Sequence, residues 1–266
     1  VFGFAAPRGR LENGRTLLST EELACHGLPN LSQTCYVNAV LQSLLTLTPF
    51  VEELHKQSQQ LYLCPPALPL ILLSEVQSCL PSRNWARKKW TLVVFLTSVA
   101  GCHAEFRNGT QQDAHEFLSV VLQQLSSVCG EMKSAAAAET LSYTCPVEAH
   151  ISFQMLNTRQ CAGCGHESGR TETYLNLSLV SKDSVSQGLL EYLKAEQLEF
   201  KCDCGASESW QRRSFSTLPN VLIVHLQRFE VTPFFTVEKT HEAVSLSTEL
   251  LLSTNQSAEK VKLVTM

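Results

Sequence analysis

Gly27-Leu28-Pro29-Asn30-Leu31-Ser32-Gln33-Thr34-Cys35-Tyr36-Val37-Asn38-Ala39 is a turn-rich loop that runs directly into an apolar periodic segment, with a thiol at the junction. From Thr34 onward Val37, Val40, Leu41, Leu44 and Leu45 recur at helical spacing, and Thr48-Pro49 disfavours continuation. A buried helix with Cys35 near its start is therefore predicted. Unpaired N–H groups at a helix N-terminus favour a nearby anion and lower a thiol from its free pKa of about 8.5. A nearby amide such as Asn30, together with backbone N–H groups, could hold the oxyanion of a tetrahedral intermediate. The residues alone also allow the plainer reading of an ordinary buried cysteine in a leucine-rich helix.

On either side of this segment the texture of the chain changes twice. Residues 1–26 carry Gly3, Pro7, Gly9 and Gly14 with no sustained period and read as a lead-in segment. Helices are predicted at about Leu70–Leu80, Lys89–Val99 and Gln111–Val128, the last from Ala114, Phe117, Leu118, Val121, Leu122 and Leu125. The stretch Glu131–Thr144 has no amphipathic pattern and is expected to connect two lobes, a helical one over 27–130 and a strand-rich one over 145–266. Short β-like runs follow at Ala149–Leu156, Thr171–Leu179, Ser209–Phe215 and Val221–Leu226, with a helix around Leu189–Ala195. The fold class is α+β.

The 266 residues are 44% hydrophobic and 17% charged, enough to bury a core or two packed lobes. A net charge of -4 leaves no broad cationic field, so no nucleic-acid partner is expected. The leucine-rich stretch Leu68–Leu73 falls far short of a bilayer span and contains Pro69, so no membrane association is expected. The first residues show neither an initiator Met nor a basic segment followed by an apolar core and small-residue cleavage site, and the chain is expected to be a piece of something longer.

Eleven cysteines are an odd number, and four of them form two tight pairs rather than the even scatter of a secreted disulfide scaffold. A reducing compartment, cytoplasm or nucleus, is expected. Cys161-Ala162-Gly163-Cys164 and Cys202-Asp203-Cys204 would close a tetrahedral structural zinc site with no open position for chemistry. Only one residue separates the second pair, which strains the usual knuckle; His166 is a candidate substitute ligand, and four reduced thiols without metal remain an alternative.

Gly-Leu-x-Asn-Leu-x-x-Thr-Cys-Tyr-x-Asn-Ala-x-Leu-Gln, running from Gly27 to Gln42, resembles the cysteine box of the ubiquitin-specific proteases. Gln111-Gln112-Asp113-Ala114-His115-Glu116-Phe117-Leu118 is similar to the family's second box, which alone would read as an amphipathic helix with an acidic first turn. The resemblance covers roughly Gly27 to the C-terminus. It implies a papain-like cysteine protease fold with helical thumb, β palm and zinc-bearing β fingers. It also implies Cys35 as nucleophile, Asn30 as oxyanion donor, and Asp113 with Gln112 as contacts to the tail of ubiquitin. Ubiquitin and ubiquitinated proteins become the expected partners.

Three features sit less easily with that pattern. The strand ending His225-Leu226-Gln227-Arg228-Phe229 resembles the one before the family's histidine box, and His225 itself reads as a packed structural histidine. The family's catalytic histidine stands in a Gly-His-Tyr context that the eight histidines here do not offer. Val261–Met266 resembles the start of a strand preceding that box, so the histidine segment is expected beyond Met266, and this chain is expected to be inactive or weakly active. Ser32 replaces the family's usual glycine, and a positive φ there would strain the loop. A noncatalytic ubiquitin-binding module is the competing function.

Overall fold

The computed structural model describes residues 27–107, 109–233, 235–247, 249–254 and 258–262, together with a two-strand hairpin, β1 (Leu11–Glu12) and β2 (Arg15–Thr16). The rest of the lead-in segment lies outside the described residues. Two compact units are present, one ending at Ala149 and one beginning at His150.

The first unit is helical. α1 (Cys35–Leu44) buries Tyr36, Val37, Val40, Leu41 and Leu44, the stripe its periodicity predicts. Thr48-Pro49 does end that pattern, but it also opens α2 (Thr48–Gln60), because a proline in the first helical turn forfeits no hydrogen bond. α3 (Leu68–Cys79) and α4 (Trp85–Cys102) follow, the latter starting four residues before the expected Lys89 because the Asn84 side chain accepts from Arg87 N at 2.9 Å and caps it. α5 (Ala114–Ser127) begins where Asp113 caps it.

The expected connector at Glu131–Thr144 is corrected by α6 (Cys129–Ala138), which buries Cys129, Met132 and Ala136. Four consecutive alanines carry high helix propensity while supplying almost no amphipathic signal, so periodicity missed them. The strand predicted from Ala149 is likewise preceded by a short helix, α7 (Pro146–His150), and starts only at Phe153. Among the described residues no helix is long and apolar enough to cross a membrane.

The second unit is built on a four-stranded antiparallel sheet in the order β4-β3-β7-β6. Its strands are β3 (Phe153–Cys161), β4 (Glu167–Tyr174), β6 (Glu196–Glu199) and β7 (Glu208–Phe215). β5 (Leu177–Val180) runs parallel to β8 (Val224–Gln227), pairing Ser178 with His225. The remaining strands form hairpins, β9 (Phe229–Val231) with β10 (Val237–Lys239) and β11 (Glu249–Ser253) with β12 (Ala258–Lys262). The predicted helix near Leu189 is α8 (Val185–Leu193), capped by Ser184.

Phe153, Met155, Leu179, Leu189, Phe215, Leu250 and Leu252 form one buried cluster at the base of the large sheet. Met155 lies opposite Phe215 and Phe153 opposite Tyr174, so the apolar ends of β3, β4 and β7 meet there while their other ends run out toward Cys161. β4 is mostly exposed along its length. A sheet whose far end lacks a hydrophobic layer needs another device to hold its strands together.

Candidate active-site loop and cysteine cluster

Cys35 is the first residue of α1 and is exposed. The loop leading to it is organised by Asn30, whose Oδ1 accepts from Ser32 N at 3.2 Å, Thr34 N at 3.2 Å and Thr34 Oγ1 at 3.1 Å. This is an Asx turn, in which a side-chain carbonyl stands in for a backbone one. Thr34 Oγ1 also accepts from Leu31 N at 3.0 Å, and Asn38, one turn into the helix, donates Nδ2 to the carbonyls of Leu28 and Pro29 at 3.3 and 3.2 Å. The loop is thereby stitched to the first turn of α1.

Two successive L-residues in that loop take positive φ, Ser32 at 97° and Gln33 at 48°. The condition for strain at Ser32 is met. Gln33 lies close to the ordinary left-handed well near 57°, whereas Ser32 lies well beyond it. Tethers from elsewhere hold the bend. Gln111 N donates to Gln33 Oε1 at 3.0 Å, and the fully buried Lys88 of α4 donates Nζ to the Gly27 carbonyl at 2.9 Å.

The second box meets the first here. Asp113 Oδ1 accepts from His115 N at 2.7 Å and Glu116 N at 3.0 Å, making it the N-cap of α5. Gln112 donates Nε2 to the Glu105 carbonyl at 2.9 Å and to Thr110 Oγ1 at 3.1 Å. Behind both, Phe117 meets Tyr36 edge-on at 5.4 Å and Phe106 edge-on at 5.3 Å, so the residue after the thiol and the phenylalanine of the second box share one aromatic contact. Burial, and secondarily the neighbouring Cys35, raise the Tyr36 phenol above its ordinary pKa. Sequence reasoning missed Thr34, Asn38 and Phe106 as parts of this site. The Asn30-to-Thr34 spacing was a usable turn signal; Phe106 offered none.

Cys161, Cys164, Cys202 and Cys204 come together at the outer end of the sheet, their sulfurs all within 4.8 Å of one another. Cys161 Sγ lies 3.6 Å from Cys204 Sγ, and Cys164 Sγ 3.8 Å from Cys202 Sγ. Tetrahedral coordination with bonds of about 2.3 Å requires sulfurs roughly 3.8 Å apart, so the four thiols fit a metal. The one-residue spacing of the second pair is accommodated by a turn in which Gly205, at φ 92°, donates its N–H to the Cys202 carbonyl at 2.9 Å, while Cys202 N bonds the Ala206 carbonyl at 2.8 Å. A Cβ on Gly163 would stand 2.8 Å from Ala206 Cβ, which shows how closely the two turns abut. Backbone N–H groups of Cys164 and Gly163 hold the Cys161 thiol down at about 6. His166 belongs to the turn through its carbonyl, which accepts from Cys161 N.

Residues 26–265 match the family described as ubiquitin carboxyl-terminal hydrolase. The chain belongs to that family. It is 30% identical over 260 residues to human ubiquitin carboxyl-terminal hydrolase 26, covering 88% of this chain and 28% of the relative. To human ubiquitin carboxyl-terminal hydrolase 37 it is 32% identical over 240 residues, covering 80% of this chain and 24% of the relative. The chain thus spans about a quarter of the length of these curated relatives. It is also similar to a chain in the solved structure of the SAGA DUB module bound to monoubiquitin, with a TM-score of 0.71 at 22% identity over 86% of this chain and 53% of that one.

For this member of the ubiquitin-specific proteases the fold is therefore α+β of the papain-like type, with helical thumb, β palm and β fingers. The cysteine cluster occupies the fingers. His225, on palm strand β8, has its Nδ1 within hydrogen-bond distance of Ser178 Oγ, at 3.0 Å.

Proposed function

We propose that this chain is the thiol-bearing part of a deubiquitinase, which cleaves isopeptide or peptide bonds after the C-terminal glycine of ubiquitin. The observation that carries this reading is an exposed Cys35 at the first turn of α1, above a loop braced by Asn30 and tied by Gln33 to the start of α5. The Cys35 thiolate, its proton given up to solvent, attacks the carbonyl carbon; the C–N bond breaks as the amine takes a proton from water, and a second water hydrolyses the thioester to the free carboxylate and the thiol. Because Asn30 Oδ1 is committed to the loop, its Nδ2 is the end of the amide suited to donate to the oxyanion. Asp113 and Gln112, at the head of α5, receive the basic tail of ubiquitin.

Cys161, Cys164, Cys202 and Cys204 would hold a structural zinc, which would brace the fingers and take no part in the chemistry. They take the place of the hydrophobic layer missing from the outer end of the sheet. Ubiquitin and ubiquitinated proteins are the partners, a reducing cytoplasm or nucleus is the setting, and the branch of ubiquitin carboxyl-terminal hydrolase 37 is our placement within the family, a 32% identity being in keeping with it. Turnover on amides is weak for this chain alone, since no Gly-His-Tyr triplet stands in its sequence to supply the base.

The strained φ of 97° at Ser32 favours a second reading, a module that grips ubiquitin without cleaving it. Ubiquitin carrying a C-terminal electrophile separates the two. Labelling of the 266-residue chain at Cys35, abolished by Cys35→Ser, is expected. Binding of ubiquitin without labelling would establish the second reading, and neither binding nor labelling would overturn both.

A further inference from the structure

A second group of ligand-type side chains lies in the helical unit, apart from the loop and from the fingers. Cys129 opens α6, Cys145 immediately precedes α7, and Glu148 lies within α7; their sulfur and carboxylate oxygen atoms are all within 4.8 Å of one another. Both cysteines are buried, at 4% and 2% exposure, while Glu148 reaches the surface. Helix ends fix the positions: Cys129 Sγ donates to the Leu125 carbonyl at 3.6 Å, and the Cys145 carbonyl accepts from Ala149 N at 2.9 Å.

Two further residues complete the group. Tyr143 is only 9% exposed, and its hydroxyl, which faces both thiols, is buried without a well-formed hydrogen bond. Such an orphan in a close-packed interior calls for a cause. Lys133, one turn along α6 from Cys129, places Nζ 3.0 Å from Glu148 Oε2.

Without metal the arrangement is crowded with protons and poor in acceptors. Two thiols and a phenol are buried side by side, and the phenol hydroxyl finds no well-formed partner. Apolar side chains of similar size would fill the same space at no such cost. A thiophilic cation changes each of these relations. Two thiolates and one carboxylate around a dication carry one net negative charge, which the Lys133 ammonium balances. Lys133 also engages Glu148 Oε2, the usual part of an outer residue that orients a ligating carboxylate. Three protein ligands leave a fourth position for water, which the Tyr143 hydroxyl can meet.

We propose that Cys129, Cys145 and Glu148 form a second metal site, for a soft divalent cation such as zinc, that fastens α6 to α7 in the thumb. Binding releases the two thiol protons to solvent and involves no change of oxidation state. The site is independent of the finger cysteines and of the deubiquitinase reading.

The test is metal content and cobalt(II) titration of the 266-residue chain, purified under reducing conditions without chelator. One equivalent beyond that of the fingers is expected, lost in the double variant Cys129→Ser, Cys145→Ser and retained in Cys161→Ser. Glu148→Gln leaves both thiols and the packing in place and should weaken the thumb site by about 10- to 100-fold, so it decides the matter if the double variant does not fold. Cobalt charge-transfer absorption that survives in Cys161→Ser and disappears when Cys129 and Cys145 are also replaced supports the site. Equal metal content in the parent and the double variant, unchanged affinity in Glu148→Gln, or recovery of a Cys129–Cys145 disulfide with no second equivalent would overturn it.

Discussion

Ser32→Gly should stabilise the helical unit and speed labelling of Cys35, an unusual direction for a substitution beside a proposed nucleophile. Ser32 adopts φ 97°, outside the well that L-residues tolerate, and such a residue costs about 1–3 kcal/mol. Glycine removes that cost but gives the unfolded chain more freedom, which takes back about 0.5–1 kcal/mol. Nothing else is lost, because Ser32 is exposed and its contact with Asn30 Oδ1 is made by its backbone N–H. The net expectation is a gain of about 1 kcal/mol, equivalent to a shift of roughly 0.3–1 M in a urea midpoint for a slope of 1–3 kcal/mol/M. Trp85 and Trp90 lie on α4 and report on this unit by fluorescence, although Trp210 on β7 must be replaced by Phe to isolate them. Ser32→Ala, which keeps the backbone problem, should stay within about 0.5 kcal/mol of the parent. A glycine variant less stable than the parent by about 0.5–1 kcal/mol, with the alanine variant unchanged, would show that Ser32 carries no strain and that only the entropic loss remains.

Phe117→Ala removes the ring shared by Tyr36 and Phe106 from a fully buried position and should cost about 3–5 kcal/mol, seen as a lowered urea midpoint of the helical unit and loss of probe labelling. Gly163→Ala puts a methyl group 2.8 Å from Ala206 Cβ and should lower metal affinity at the fingers, measured by competition with a chromogenic chelator, while α-helical circular dichroism is unchanged. Asp113→Ala loses the cap of α5 and should cost about 1 kcal/mol, whereas Asp113→Asn keeps the cap but not the charge; slower labelling by the ubiquitin probe in Asp113→Asn at unchanged stability would assign the carboxylate to the substrate, and unchanged labelling would confine it to the helix.

The elements legible in the sequence were those with a strong period or a marked start. α1 and α5 announced themselves through apolar residues at helical spacing, and the strand β7 was placed within one residue of its start. α2 was missed because its polar run, Glu52-Glu53-Leu54-His55-Lys56-Gln57, hides only a narrow apolar stripe and because its opening proline was read as a stop. α6 was missed for the opposite reason, since alanine is a strong helix former but a weak hydrophobic marker. The cysteine cluster was legible because ligand spacing survives in sequence whatever the turns between do. Cys129, Cys145 and Glu148 were not, because the first two lie on different elements and their proximity is created by the packing of α6 against the segment before α7.

The two boxes are one physical object, which is why reading them together succeeded where each alone was ambiguous. The first contributes a bend that an L-residue resists, and the second contributes a rigid helix start against which the bend is held. Gln33 shows how this works: its own positive φ of 48° presents its amide to Gln111 N, 78 residues along the chain. Asn30, Thr34 and Asn38 add six local hydrogen bonds around the same turn, and Lys88 adds a charged one at Gly27. At about 1 kcal/mol apiece these are enough to oppose the roughly 1–3 kcal/mol of strain at Ser32, so the loop can keep its shape without the glycine. Substitutions at Gln33 or Asn30 should therefore do more harm in the Ser32 parent than in Ser32→Gly, because with the strain gone the tethers have less to oppose. A double-mutant cycle between Ser32→Gly and Gln33→Ala should show coupling of about 0.5–1 kcal/mol, and strict additivity would mean that bend and tethers act independently.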